Sequence, residues 1–385
     1  MGRLAAPHKI LFKNIMRNIF TKAALLVCAF GFSIPAFAGN KDRTGQAGAT
    51  ELLINPWGQS TGLFTSNTAS VRGLEAMKCN IAGLSFVEGT EIGISRSEIL
   101  AGSGVSVNNL GIAQKVGEHG VLGFNIMSVG FGDITITDDK NPEGGIGSYR
   151  PQFMNIQIGY ARQFAKGVYA GIGGTFVNEQ ISNIHASSGV FEAGIQYLTG
   201  KDDRFHFGVT LRNVGTNMKF SGNGLSVNTQ DPNTGLYSIN MQYPTEKFEM
   251  PTYLNFGASY DIQLDGNHLS GPDDKSKHRA TLMANFTSNS FNNDYIGSGI
   301  EYAYKETFML RAGYRYEKAI TSTDTRNTLY TGLAAGCTIQ KAIGEKGPIL
   351  ALDYSYRPTS RPNNGVHVIS VRLITRAKAD DEDSE

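Results

Sequence analysis

The sequence predicts an all-β protein, a 14-stranded antiparallel transmembrane β-barrel with an N-terminal plug, or hatch, inside it. Three observations predict this. Long segments alternate apolar and polar residues with period two, which places successive side chains on opposite faces of a strand. The segments run about ten to fifteen residues, where soluble strands average about five or six and a tilted bilayer-crossing strand needs roughly nine to eleven. No apolar run reaches eighteen residues, so strands rather than helices carry any crossing.

Residues 1–38 read as a signal peptide. Arg3, Lys9, Lys13, Arg17 and Lys22 form a basic leader with no acidic residue. Ala23 to Ile34 is an apolar run, and Ala36-Phe37-Ala38 fits a small-x-small cleavage site with Gly39 as the first mature residue. The run is too short to span a bilayer as a helix, which leaves an uncleaved anchor as the lesser alternative. Met16 is an alternative start, and Val27 is too large to precede a lipoprotein cysteine at Cys28. Cleavage leaves 347 residues (385 minus 38), with 30 Lys and Arg (35 minus 5) against 34 Asp and Glu. A net charge near −4 gives no footprint for nucleic acid.

Residues 39–88 alternate poorly and hold the single tryptophan, Trp57. In "VRGLEAMKCNIAGL", Val71, Leu74, Met77 or Lys78, and Ile81 fall at helix-like spacing. A lumen fourteen strands wide is too large for wall side chains alone to fill. The segment is therefore expected as the plug, with Trp57, Phe64, Leu74, Asn80 and Gly83 as its marker residues. A disordered leader is the alternative, and Trp57, Phe64 and the many leucines fit it poorly.

The barrel, residues 89–375, follows. Strands are expected at 89–99, 105–116, 119–130, 153–164, 167–182, 184–198, 203–216, 249–263, 277–290, 294–305, 307–319, 327–340, 347–357 and 365–375. In "YLNFGASYDI", Leu254, Phe256, Ala258, Tyr260 and Ile262 oppose Asn255, Gly257, Ser259 and Asp261. In "FMLRAGYRYE", Phe308, Leu310, Tyr314 and Tyr316 oppose Arg311 and Arg315. "RFHFGVTLRN" and "LALDYSYR" repeat the pattern, with His206, Arg212, Asp353 and Arg357 on the polar face. A soluble sandwich also alternates, with its apolar face inward. Charges on one face and tyrosines closing the other suit the inverse arrangement, with lipid outside and a polar lumen. His206, Arg212, Asp261, Arg311, Arg315, Asp353 and Arg357 are the expected lumen residues, and His206 is expected as a hydrogen-bonded side chain rather than a ligand.

An even strand count puts both termini in the periplasm, with the short turns at 117–118, 165–166, 199–202 and Glu306 beside them. Long connections at 131–152 and 217–248 then face outward, the usual asymmetry. The connection 264–276 is long on the wrong side and is a candidate docking site. Residues 235–242 are placed in an outer loop, since a fifteenth strand breaks the parity. Residues 376–385, with "ADDEDSE", read as an acidic disordered tail. Cys79 and Cys337 are too few for a disulfide framework or a zinc site, and either a pair or two separate thiols fits.

No catalytic constellation, cofactor motif or metal site emerges, and the chain is not expected to be an enzyme. Asp138, Asp139 and Glu143 cluster as calcium ligands can, but a solvated loop explains them more simply. "AGIGGTF" lies mid-strand with no following helix, so its glycines belong to wall packing rather than to a phosphate loop.

The segment "GATELLINPWGQSTGLFTSNTASVRGLEAMKCNIAGL" resembles the N-terminal signature of the PorV/PorQ family, with Asn80, Ala82, Gly83 and Leu84 matching its Asn-Pro-Ala-Gly-Leu end and Ile81 replacing proline. "LRNVG" with Asn213 and Gly215, "LRAGYRY", "LDYSYR" and "HVISVRL" are similar to later strands of that family. The final strand ends in Ile374-Thr375 rather than an aromatic, and with Ile81 this suggests a divergent paralogue. The resemblance implies a FadL-like barrel in the outer membrane of Bacteroidota. It implies an accessory of the type IX secretion system, a protein-transport role with a large translocon barrel or secreted cargo proteins as partners. On the outer loops, Asp138, Asp139, Tyr149, Phe220 and Tyr237 become the candidate partner-facing residues. Two rivals stand beside this reading. A FadL-type channel for hydrophobic small molecules predicts an apolar pocket and an opening in the wall. A phospholipase-type enzyme needs a Ser-His pair at the lipid edge, which the sequence does not place.

Overall fold

The computed structural model describes residues 41–230, 238–265, 276–322, 325–344, 347–360 and 364–375. The signal peptide, the Ala38–Gly39 junction, Tyr237, most of the 264–276 connection and the acidic tail lie outside the described residues.

Fourteen strands close into one antiparallel barrel. They are β1 (Thr90–Ile99), β2 (Val105–Val116), β3 (Gly120–Gly130), β4 (Gln152–Ala165), β5 (Val168–Ile181), β6 (Ile184–Thr199) and β7 (Phe205–Gly215), then β8 (Tyr253–Gln263), β9 (His278–Asn289), β10 (Tyr295–Tyr304), β11 (Phe308–Glu317), β12 (Leu333–Ala342), β13 (Ile349–Arg357) and β14 (Val366–Ile374). The seam pairs β1 with β14, from Glu91 opposite Ile374 to Ile99 opposite Val366. Two expected strands start late. Residues 249 and 250 hold the inner segment instead of extending β8, and before β12 Gly332 turns the chain with φ +92°. Residues 238–242 pair with 226–230 in a hairpin off the barrel, so they do not add a strand to it.

The faces are inverted as the alternation requires. On β7, Phe207 is 47% exposed and His206 3%; on β11, Leu310 is 47% exposed and Arg311 5%. An exterior of isoleucine, leucine and phenylalanine around a closed ring is the surface a bilayer accepts, because closure leaves no unpaired edge in lipid.

Residues 41–89 thread this ring. Ala47 bridges Glu249, and the Gly48 N–H donates to the Glu249 carbonyl at 3.1 Å. The Arg43 guanidinium, 4.3 Å from the Phe291 ring centroid, also pairs with Glu249. These contacts lie at the rim that carries the long connections. The chain then descends through α1 (Gly58–Gly62) and short 3-10 turns at Gly73–Lys78 and Ile81–Phe86. It emerges at the opposite rim, where Thr375 N–H donates to Thr90 O at 2.8 Å. Arg43 and Ala47 on the one hand and Thr375 on the other therefore lie at opposite rims. The helix-like spacing of residues 71–81 resolves into two 3-10 turns rather than an α-helix, because Gly73 (φ +76°) and the non-helical Cys79 break it.

The inner segment rests directly on the wall. Inward glycines face each other across strands, Gly93 with Gly111, Gly123 with Gly159, and Gly299 with Gly313. Trp57 lies over Gly93, and the Leu63 backbone over Gly313, where an added Cβ meets the carbonyl carbon at 2.4 Å. Glycine is abundant here because backbone packs on backbone.

Candidate functional site

Each marker residue of the inner segment is buried. Trp57, Leu74, Met77 and Leu84 form an apolar core with Ala113, Val121 and Ala161 of the wall. The Asn80 amide donates to Thr68 O at 3.0 Å and Ile195 O at 3.1 Å, and its Oδ1 accepts the Ala82 N–H. Gly83 is required by close approach, since a Cβ there meets Val71 O at 2.1 Å. Phe64 lies between Arg315 and Arg357, 4.9 and 5.5 Å from its centroid.

The expected lumen residues all point inward, but not into open water. Arg357 lies over the Phe64 and Tyr330 rings, and the others form ion pairs. Asp353 pairs with Arg372 at 3.0 Å, and Gln59 of α1 donates to Asp353 at 3.1 Å. Arg372 also reaches Glu91 at 3.1 Å and Glu75 at 4.0 Å. Arg311 pairs with Glu301, which Arg279 also holds. Arg315 pairs with Glu317 at 2.9 Å. His206 Nε2 lies 2.8 Å from Asp203 O and 3.6 Å from Asp261. Arg372, Glu91, Glu192, Glu301 and Gln157 are not among the expected lumen residues; each is buried on a strand that carries none of them.

A local irregularity distinguishes one part of the wall. Between β6 and β7, Phe191 faces Val214 and Ala193 faces Leu211, so β7 carries an extra residue. Asn213, at φ +59°, absorbs it, and both Arg212 and Asn213 turn inward. Such a bulge twists and bends the strand. Arg212 pairs with Glu192 at 2.7 Å, and Gln157 donates to the same carboxylate. Gln157 and Arg212 both also donate to the Met77 carbonyl, at 2.6 and 3.1 Å. The bulge is thereby tied to the inner segment.

Outside this junction the wall is recessed. A cavity of about 640 Å³ opens toward lipid across β3 to β7. Outward Ile158, Ile172, Phe191 and Leu211 line its sides, and inward Gly159, Gly173 and Glu192 reach its floor. Small-molecule sites typically occupy about 300–1,000 Å³ with mostly apolar linings. This recess has the chemistry to hold an apolar molecule, with one ion pair beneath it.

Groups of the inner segment near the long-loop rim and beneath the bulge have shifted acidities. Burial, then the neighbouring Glu179, push the Glu51 carboxyl up to about 8. Burial, then Arg212, bring Lys78 down to about 8. Burial pushes the Cys79 thiol up to about 12, and Cys79 and Cys337 are both free.

Among the candidate loop residues, Asp138 caps a turn by accepting the Lys140 and Asn141 N–H groups. Asp139 is exposed, and Tyr149 sits in the small hairpin of 134–135 with 148–149. Phe220 lies 5.7 Å from the Phe248 ring and, partly buried, packs on the rim cluster with Ala49 and Met250. Among the described residues no group of three or more His, Cys, Asp and Glu is placed to hold a metal.

No protein-family model and no curated protein matches the chain. Solved structures do. The toluene transporter TodX of P. putida is 12% identical over 84% of this chain and 99% of its own, with a TM-score of 0.49. The CymD monoaromatic hydrocarbon channel is 13% identical over 84% and 98%, with a TM-score of 0.49. A FadL homologue from Pseudomonas aeruginosa is 11% identical over 82% and 96%, with a TM-score of 0.48. The fold itself stands on the hydrogen-bonded ring described above.

Proposed function

We propose that this barrel lies in the outer membrane and admits small hydrophobic molecules through its wall recess, as a channel of the FadL type, with residues 39–88 as its plug. The recess carries the reading. It is apolar on the lipid side, and its floor reaches Glu192, which shares partners with the Met77 carbonyl of the inner segment. An occupant pressing on that floor acts on the segment that fills the lumen. Saturable binding of toluene or dodecanoate to the purified barrel, read by Trp57 fluorescence, tests this. Gly174 lines the recess, and a Cβ there meets the Phe191 ring and the Val190 carbonyl no closer than 3.9 Å, ordinary contact. Gly174→Leu therefore fills the recess without crowding, and is expected to weaken binding at least about tenfold. Unchanged binding in that variant, or none in the parent, refutes the reading.

One observation favours a second reading, an accessory barrel of type IX secretion. The hairpin of 226–230 with 238–242 stands off the barrel with Val227, Ile239, Met241 and Tyr243 exposed. Apolar surface clustered in a loop suits a protein partner. A tagged barrel purified from native outer membranes is then expected to carry a very large barrel, or proteins sharing a C-terminal β-domain. Deleting 226–242 is expected to release them, and retention after deletion refutes the hairpin's role.

A further inference from the structure

A second part of the outer wall departs from the apolar rule. Arg96 of β1 points outward. Asn108 of β2 stands directly opposite it, and Ser128 of β3 opposite Asn108, also facing outward. Arg96 Nη1 donates to Asn108 Oδ1 at 2.9 Å. This polar row lies level with Ile369 and, one strand further, with Tyr354. It is three residues from the end of β1 at the long-loop rim, the depth at which interfacial tyrosines sit.

The next outward row toward the opposite rim is apolar: Ile94, Leu110 and Ile126. The row after it, Ile92, Ile112 and Phe124, is apolar as well. Together the first two rows line a recess of about 480 Å³.

The charge of Arg96 is uncompensated. Arg212, Arg279, Arg311, Arg315 and Arg372, on the inward face, each have a carboxylate partner. Among the described residues, no carboxylate lies within ion-pair distance of Arg96. Glu98, the next outward side chain on β1, accepts the Gly102 N–H of the adjoining turn at 3.1 Å. A guanidinium on the lipid face costs about 2–4 kcal/mol at the midplane and about 0–1 near the interface. Its planar fork matches phosphate oxygens bidentately. Asn108, whose oxygen is engaged, and the Ser128 hydroxyl supply further donors to the same anion.

We propose that this recess binds one membrane lipid with an anionic phosphate headgroup. The phosphate lies on Arg96 between Asn108 and Ser128, and an acyl chain runs down Ile94, Leu110 and Ile126. Both the polar row at interface depth and the apolar track beneath it belong to that one class of ligand. The site is separate from the recess across β3 to β7 and does not depend on its role.

The test uses the full barrel, delipidated in detergent and titrated with phosphatidylglycerol, phosphatidylcholine of the same acyl chains, or inorganic phosphate, with bound species read by native mass spectrometry. The expected result is retention of phosphatidylglycerol with about tenfold preference over phosphatidylcholine. Arg96→Gln is expected to abolish the preference and Arg96→Lys to keep part of it. Heat-modifiable gel migration checks that each variant is folded. If Arg96→Gln does not fold, Ser128→Leu, which blocks the headgroup position and keeps the charge, replaces it with the same expected loss. Equal binding of the two lipids, or an unchanged preference in the folded variants, overturns the proposal. Displacement of phosphatidylglycerol by millimolar inorganic phosphate also overturns it, in favour of a free-anion site.

Discussion

Arg372→Gln removes the cation at the junction of β1, β13, β14 and the inner segment. Its guanidinium lies 3.1 Å from Glu91, 3.0 Å from Asp353 and 4.0 Å from Glu75, and all four side chains are buried. At about 3 Å and an effective dielectric near 20, each close contact is a gross attraction of about 5 kcal/mol. Desolvation offsets much of that, and removing one partner of a buried pair costs about 3–5 kcal/mol. Three carboxylates lose the cation they share here, so the upper part of that range is expected. The assay is denaturant unfolding in detergent, followed by Trp57 fluorescence, since the single tryptophan reports the inner segment. A pH series separates charge from packing. Burial already raises the Glu75 carboxyl, and Arg372 draws it back; without Arg372 it rises further. A carboxyl raised in the folded state contributes stability that is present at acid pH and lost as pH climbs through its folded value. The deficit of the variant is therefore expected to shrink toward acid pH. A loss under about 1 kcal/mol, or a deficit equal at acid and neutral pH, refutes the electrostatic anchor.

Further outcomes are expected elsewhere. Gly313→Ala places a methyl against the Leu63 backbone, which cannot swing aside, and is expected to destabilise by about 1–3 kcal/mol in the same unfolding assay. The raised Glu51 carboxyl keeps its proton on folding, so its contribution is full below the ordinary carboxylate value and is lost as pH rises through about 8. The stability difference between the parent and Glu51→Gln is expected to vary across that window, and a constant difference refutes the assignment. Cys79, buried with its thiol pushed up to about 12, is expected to resist maleimide in the folded barrel and to react after denaturation.

The strands were legible because lipid and lumen impose opposite chemistry on alternate residues. Phe205 to Arg212 already shows which face is which. The position of 238–242 followed from parity alone. The inner segment was legible as buried, through Trp57 and its leucines, but not in its path. Its contact with Glu249 and Phe291 joins residues distant in sequence, and no local pattern records such pairing. The same holds for the Arg372 cluster, drawn from four elements, and for the bulge at Asn213. That bulge exists only in the mismatch between β6 and β7. The packing of Phe220 with Phe248 on the rim cluster likewise joins residues that no local pattern pairs.

The Gly58 N–H donates to Ser370 Oγ at 2.8 Å, joining positions 312 apart in the chain. The consequence concerns the order of assembly. Residues 50–86 and β1 to β3 are neighbours in sequence and meet early, because short loops close at little entropic cost. Within the ring β14 comes last along the chain, yet it must find both β1 and α1. The part made first thus acts as a mandrel, and the wall winds around it. A circumference that is one strand short or long leaves Ser370 unable to reach Gly58. Closure of the seam is in this way checked from the inside, by the segment it encloses.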